Sequence, residues 1–197
     1  MDILDELIEA FRNSRIFKFV HLPVQSGDDQ VLRRMHRFYT VQDFQEIVDA
    51  FHAAFPEVTV STDVICGFPS ETREAFENTL KLIGEVKPDI VNVSKFFARP
   101  RTAAAEMRDT VKPVEIKRRS AEAAKLVKHL SLEKNQHWID WTGEILIDEK
   151  GKVPGSWVGR NFAYKPIAVK SSADLLGKTL RVRVVKAFST HLAGTVE

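Results

Sequence analysis

The sequence predicts an α/β fold in which strands and helices alternate, followed by a small antiparallel β-barrel. Three observations predict it. Up to about residue 133, short apolar runs of strand length alternate with amphipathic stretches of helical period, a spacing that implies parallel pairing through right-handed crossovers. Beyond Trp138 the texture changes to short strand-like runs separated by Gly, Pro, Asn, Ser and Lys turns. With 197 residues, 44% of them apolar, the chain is long enough to bury a core and to form one domain or a larger plus a smaller one.

Each element has its own signal. Ile3, Leu4, Leu7, Ile8 and Phe11 follow helical spacing, and Asn13-Ser14 is a plausible stop. Residues 16–20 are apolar and aromatic, as in a buried strand, and run into His21-Leu22-Pro23-Val24-Gln25-Ser26-Gly27. Asp28 or Asp29 can cap a short helix through Met35, and Thr40 with Asp43 three residues on can open a longer one to about Ala54. Residues 58–66 form a β-branched run, Gly67-Phe68-Pro69-Ser70 a turn, and residues 72–85 an amphipathic helix. A third strand spans 90–97, a loop spans 98–102, and a long charged helix runs from Pro113 to about His137, with its proline in the first turn. The terminal strands are expected at 144–148, 156–159, 166–169, 180–187 and 191–196. The domain boundary falls near Lys134, giving 1–133 and 134–197.

Charge is divided unevenly. Residues 1–133 hold 19 Lys/Arg against 21 Asp/Glu, whereas residues 134–197 hold 10 against 6, so the positive surplus lies at the C-terminal end. No apolar run reaches the roughly 18 residues that span a bilayer, and the acidic start is wrong for a signal peptide. A cytoplasmic protein without membrane attachment is expected. The one cysteine, Cys66, cannot form an internal disulfide or a thiolate-rich metal site within one chain, so no metal ligand set is expected.

Ligands of parallel α/β folds bind at the carboxyl ends of the strands. That rule selects the loops 21–27, 63–71 and 99–102. Gln25 and Ser26 can hydrogen-bond a hydroxyl or amide, Gly67 lets backbone approach closely, and Phe68 can stack on a flat ring, which together outline a nucleoside-like pocket. Each residue also has a plainer role. His21 beside a proline fits a structural hydrogen bond; Asp63 in a β-branched strand needs a partner or a ligand. Cys66 fits an ordinary buried residue, and Lys117-Arg118-Arg119 a solvated helix face.

Read in order, His21-Leu-Pro-Val-Gln-Ser-Gly27, Met35-His-Arg-Phe-Tyr-Thr40, Ser61-Thr-Asp-Val-Ile-Cys-Gly-Phe-Pro-Ser-Glu-Thr72 and Ala98-Arg-Pro-Arg-Thr102 resemble the ordered signature of the radical S-adenosylmethionine (radical SAM) tRNA methylthiotransferases. The likeness continues through Ser131-Leu-Glu-Lys-Asn135 into a tail resembling a TRAM domain, a small RNA-binding β-barrel. Val91-Asn-Val-Ser-Lys-Phe-Phe97 and Gly159-Arg-Asn-Phe-Ala-Tyr-Lys-Pro166 are most similar to the archaeal and eukaryotic branch. The resemblance implies a fold comprising the C-terminal half of a parallel (β/α) radical SAM barrel followed by the TRAM barrel. It implies conversion of N6-threonylcarbamoyladenosine at position 37 of tRNA to its 2-methylthio form, with S-adenosylmethionine and [4Fe-4S] clusters as cofactors.

Clusters need three or four cysteine thiolates each. The family's Cys-x3-Cys-x2-Cys loop would lie upstream of Met1, so this chain is expected to be inactive alone and to need the N-terminal half as partner. The resemblance implies that Gln25, Ser26, Asp63, Gly67 and Phe68 line the S-adenosylmethionine side, with Arg99 facing the reaction centre. Arg160, Asn161, Lys165, Lys170, Arg181, Arg183 and Lys186 would contact tRNA phosphates, while Phe162 and Tyr164 would stack on bases or fill the barrel. An exposed barrel edge is expected to favour self-association.

Two residues depart from the family pattern: Arg101 and Ser70 stand where glycine is common. If those positions hold positive φ, Arg101 strains its loop by about 1 kcal/mol or more. Two other function classes compete, a non-catalytic RNA-binding module and an ordinary metabolic α/β enzyme without RNA affinity.

Overall fold

The computed structural model describes residues 3–197. The chain folds as α1 (Ile3–Phe11), β1 (Phe19–His21), α2 (Asp29–Arg34), α3 (Val41–Ala54), β2 (Thr59–Cys66), α4 (Arg73–Val86), β3 (Ile90–Lys95), α5 (Ala103–Glu106), α6 (Pro113–Gln136), and then β4 (Thr142–Lys150), β5 (Ser156–Arg160), β6 (Pro166–Lys170), β7 (Thr179–Ala187) and β8 (Leu192–Val196). Two compact units emerge. One holds residues 21–50 and 60–128; the other holds the residues up to Val20, 51–59 and 129–197.

Helix starts follow the expected caps. Asp28 Oδ1 accepts from the backbone N–H groups of Gln30 and Val31 at 3.0 and 3.1 Å. Thr40 and Asp43 form a reciprocal box at the start of α3, and Thr72 Oγ1 accepts from Ala75 N at 3.0 Å. Each satisfies donors that a helix start otherwise leaves unpaired. The first strand lies later than its apolar run, because residues 16–18 close the turn after α1: Ile16 N donates to Asn13 O, and Lys18 Nζ to the carbonyls of Asn13 and Ile16. The short α5 has no counterpart in the sequence reading; Thr102 Oγ1 donates back to Arg99 O instead of capping it.

The first sheet has the order β1-β2-β3, with β2 and β3 parallel and Asp63 level with Asn92. On one side of β2, Val64 and Cys66 are buried, and Cys66 packs with Phe76 of α4 and Ala123 of α6. The β2 exit loop is tied to α6 by a buried ion pair. Arg119 Nη1 donates to Glu71 Oε1 and to the carbonyls of Glu71 and Thr72, while Gly67 N donates to the same Glu71 oxygen. The two side chains are only 1% and 6% exposed. Arg119 is therefore not part of a solvated face; its neighbour Arg118 is, pairing with Glu115 and Glu122.

Strands β4-β5-β6-β8-β7 close into a barrel. It is not wholly antiparallel, since β6 and β8 run parallel. Parity requires this: a closed ring of five strands cannot alternate direction all the way round. Ile145, Ile147, Trp157, Ile167, Val169, Val182, Val184 and Leu192 point inward at strand period. Each buried side chain of this size contributes about 1.5–3 kcal/mol.

Glu71→Gln is expected to destabilise the protein by up to about 3 kcal/mol, because it removes the buried partner of the Arg119 charge and leaves it only the more exposed Glu115. Urea unfolding measures this; a loss below about 1 kcal/mol would show the pair to be dispensable. The hydrogen bonds from Arg118 and Arg119 hold the Glu115 carboxyl down at about 2. A depressed folded value stabilises above the unfolded carboxylate range and is lost as pH falls through about 2. The Glu115 carboxyl resonance should titrate near there, and Arg118→Ala should move it back up.

Candidate functional site

The two faces of the sheet differ toward the carboxyl ends of β2 and β3. The strand period sets Val64 and Cys66 of β2 and Val91 of β3 on the packed side, and Asp63, Asn92 and Ser94 on the other. Parallel strands are ordinarily covered on both faces. Here Asn92 and Ser94 are exposed and Asp63 is about a third exposed. Register then assembles a polar row. Asn92 Nδ2 donates to Asp63 Oδ1 at 2.8 Å, and His21 Nε2 at the end of β1 lies 3.2 Å from the same oxygen. The second carboxylate oxygen remains available for a hydroxyl or ammonium donor. Sequence reasoning took His21 as structural and passed over Asn92; the polar period of Asn92 and Ser94 within β3 was the signal for it.

The loops at the strand ends are held by the fold itself. After β1 the chain leaves the sheet, and Thr62 Oγ1 fills the gap by accepting from Val24 N and donating to Leu22 O. The chain rejoins at Gln25, whose N donates to Asp63 O and whose O accepts from Ile65 N, at a left-handed φ of 70°. Ser26 is buried, and its Oγ accepts from Asp28 N. Gly27 lies so close to α4 that an added Cβ would sit 2.5 Å from Thr79 Cα.

The Gly67-Phe68 turn serves packing rather than an open ligand wall. At φ 84° Gly67 faces Ile116, 2.4 Å from where a Cβ would lie. Phe68 is 6% exposed and meets the Phe96 ring edge-on at 5.2 Å, within a cluster that includes Val31 and Ala75. Phe68, expected from the sequence to stack on a flat ring, lies within this cluster. Burial, with Glu71 nearby, pushes the Cys66 thiol up to about 12, so it stays protonated. Arg99 is exposed on the loop after β3.

Both residues at glycine positions hold left-handed backbone, Ser70 at φ 65° and Arg101 at φ 64°. Ser70 is secured: its N donates to Asp109 O, its Oγ donates to Pro69 O, and Arg34 Nη1 donates to Ser70 Oγ at 2.7 Å. It lines an open polar cleft of about 330 Å³ with Asp28, Gln30, Arg34, Thr72, Glu74 and Asn78, which contains none of the residues expected to line the cofactor.

In the second unit, Lys170, Arg181, Arg183 and Lys186 are exposed on the barrel. Arg181 pairs with Glu197 at 3.2 Å, and Arg183 with Asp140 at 2.7 Å. Arg160 pairs with Asp148 and lies over the Tyr164 ring. Asn161 and Lys165, expected at the surface, are 1% and 4% exposed. Asn161 Oδ1 accepts from Ala163 N and Lys165 N, and Lys165 Nζ donates to Asn135 Oδ1, so both residues build the β5–β6 loop. That turn, with Tyr164 at φ 61°, sends Ala163 into the barrel core. Tyr164 packs on Phe17 and Phe19, and Phe162 is left 42% exposed beside Trp138 and Trp141.

Comparison with known proteins adds similarities. The radical SAM superfamily pattern matches residues 1–83. A probable threonylcarbamoyladenosine tRNA methylthiotransferase of Pyrococcus horikoshii is 40% identical over 196 residues, covering all of this chain and 45% of the relative. The threonylcarbamoyladenosine tRNA methylthiotransferase of Xenopus laevis is 34% identical over 98% of this chain and 34% of its own length. A tRNA-2-methylthio-N(6)-dimethylallyladenosine synthase of Carboxydothermus hydrogenoformans is 37% identical over 99% and 45%. The chain thus spans less than half the length of the curated relatives it matches. In fold it is similar to coproporphyrinogen III oxidase of Escherichia coli, a radical SAM enzyme, with a TM-score of 0.53 at 18% identity over 94% of this chain and 44% of that one.

Arg101→Gly is expected to raise stability by up to about 1 kcal/mol, because only glycine holds φ near 64° without strain. A lowered unfolding midpoint in that variant would show that the arginine side chain repays the strain.

Proposed function

We propose that the chain belongs to the radical SAM tRNA methylthiotransferase family and forms the tRNA-binding part and one wall of the cofactor site of an enzyme that converts N6-threonylcarbamoyladenosine at position 37 of tRNA to its 2-methylthio derivative. The observation that carries this reading is a likeness that runs unbroken through both the parallel sheet and the terminal barrel, 196 residues at 40% identity. In this reading residues 1–133 belong to the catalytic barrel and residues 134–197 grip RNA, in the cytoplasm. No helix among the described residues is long and apolar enough to cross a membrane.

The residues of this chain do not fit an iron–sulfur cluster. A cluster takes several thiolates, and the single Cys66 is buried with its thiol held protonated. The reading therefore assigns cluster ligation to residues other than these 197. S-adenosylmethionine has an ammonium and ribose hydroxyls that suit the available Asp63 oxygen, with His21 and Asn92 fixing that carboxylate's rotamer. When bound, it supplies the one-electron chemistry and the methyl group. Arg99, a cation on the loop after β3, is read as facing the reacting groups. Gln25, Ser26, Gly67 and Phe68 act by shaping the loops on which the site rests.

On the barrel, Lys170, Arg181, Arg183 and Lys186 are the phosphate contacts this reading names, with Arg160 beside them. Exposed ion pairs are worth at most about 1 kcal/mol, so phosphates can replace Glu197 and Asp140 at small cost. A second reading, a non-catalytic RNA-binding module, is favoured by one observation: four of the five residues expected to line the cofactor, Gln25, Ser26, Gly67 and Phe68, are buried.

Filter binding of tRNA across a salt series tests the RNA assignment. Affinity should fall steeply with salt, and replacing Arg181 and Arg183 by Gln should reduce the log–log slope by about 1.4–1.8. Absent or salt-independent binding would overturn it. Titration with S-adenosylmethionine separates the two readings: binding lost in Asp63→Asn is expected from the first, and no binding from the second.

A further inference from the structure

An exposed aromatic ring lies far along the sequence from the barrel, on the turn between α2 and α3. α2 ends with Arg37 N donating to Leu32 O and His36 N to Arg33 O, both at 3.0 Å. These are the paired bonds of a Schellman end, with His36 at φ 55° where glycine is usual. The turn is then pinned. Tyr39 Oη donates to Pro23 O at 3.0 Å, Val41 N donates to Asp29 Oδ1 at 2.8 Å, and Met35 packs on the Phe68 cluster. The result is a rigid platform that holds Phe38 entirely in solvent, 100% exposed.

The charged residues nearest Phe38 in sequence are basic and exposed: Arg33, Arg34 and Arg37. The carboxylates of the segment are spent on backbone donors: Asp28 on the start of α2, Asp29 on Val41, and Asp43 on Thr40. Among the described residues, no carboxylate lies within ion-pair reach of Arg33 or Arg37. Cations at the end of a helix complement its dipole, which accounts for Arg33 and Arg34. It accounts neither for Arg37, beyond the helix, nor for an aromatic ring held in water at the cost of its burial. A lone exposed phenylalanine needs no explanation; one on a pre-ordered turn flanked by unpaired guanidinium groups has the composition of a stacking platform for single-stranded nucleic acid.

We propose that Phe38 stacks on an unpaired base of an RNA ligand while Arg33 and Arg37 hold the flanking phosphates. This rests on the reading of the chain as an RNA binder and adds a contact in the first unit to the one assigned to the barrel. Stacking on an aromatic ring is tolerant of sequence, so the contact strengthens binding without selecting a base.

The test is binding of the whole chain to a tRNA transcript by fluorescence anisotropy across a salt series. Phe38→Ala should weaken binding about tenfold with an unchanged salt slope, Phe38→Trp should restore it, and Phe38→Leu should not. Replacing Arg33 and Arg37 by Gln should lower the slope by about 1.4. The urea midpoint of Phe38→Ala should match that of the parent, since the ring buries nothing. Unchanged affinity in Phe38→Ala, with the salt slope still reduced in the Arg181 and Arg183 variant, overturns this site and leaves the RNA reading standing. No tRNA binding by the parent chain overturns both. Binding to phosphatidylserine vesicles that Phe38→Ala abolishes, with tRNA affinity unaffected, assigns the patch to a lipid surface and overturns the proposal.

Discussion

The buried pair of Glu71 and Arg119 is the constraint on which the first unit's loop geometry depends. Burial drives the Glu71 carboxyl above its ordinary value, while Arg119 and the Gly67 N–H pull the other way. Such a pair is costly to desolvate and is retained only where every polar atom is engaged. Here Arg119 also serves two carbonyls of the loop and Glu115 on its own helix, and its guanidinium lies 5.6 Å from the Phe76 ring centroid. One side chain thereby fixes the backbone from Gly67 to Thr72 against α6. Gly67 follows from it, because a loop drawn that close to Ile116 leaves no room for a Cβ.

The fixed loop sets what the strand ends can present. With its exit turned toward the helices, β2 directs Phe68 into the core, while Asp63, Asn92 and Ser94 share the opposite sheet face. The chemistry of the site then arises from register more than from the loops. Asp63 and Asn92 are neighbours because β2 and β3 pair in parallel with Ser61 level with Ile90; a one-residue slip would send Asn92 to the apolar side and Val91 into its place. A buried apolar face thus enforces the geometry of an exposed polar one.

What was legible in the sequence follows the range of the interactions involved. Caps read correctly because Asp28, Thr40 and Thr72 act within three residues, and the barrel strands read correctly because period-2 alternation is local. Phe68 and Arg119 did not. Their fates are decided by partners tens of residues away, and nothing in a turn of Gly-Phe-Pro-Ser or in a Lys-Arg-Arg run marks which side chain meets a distant carboxylate. Asn161 and Lys165 are a mixed case. The Asn was visible as a turn former, but only the fold shows that Lys165 Nζ reaches Asn135. The departures from glycine at Ser70 and Arg101 were legible as potential strain, and both residues do hold positive φ.

The two kinds of cation in the barrel unit differ in what they can do, and burial is the reason. Lys165 gives its ammonium to a buried amide and would expose an unsatisfied network if it moved; its charge is structural. Arg181 and Arg183 sit on the outer face of β7, alternating with the core residues Val182 and Val184, so the strand holds their backbones rigid while the side chains remain in water. Their carboxylate partners are screened and exchangeable. A polyanion that exchanges for Glu197 and Asp140 there releases its own counterions without disturbing a buried contact. Polyanion binding at such a surface would therefore be governed by salt, since contacts of this kind to phosphates position a ligand and carry no sequence information.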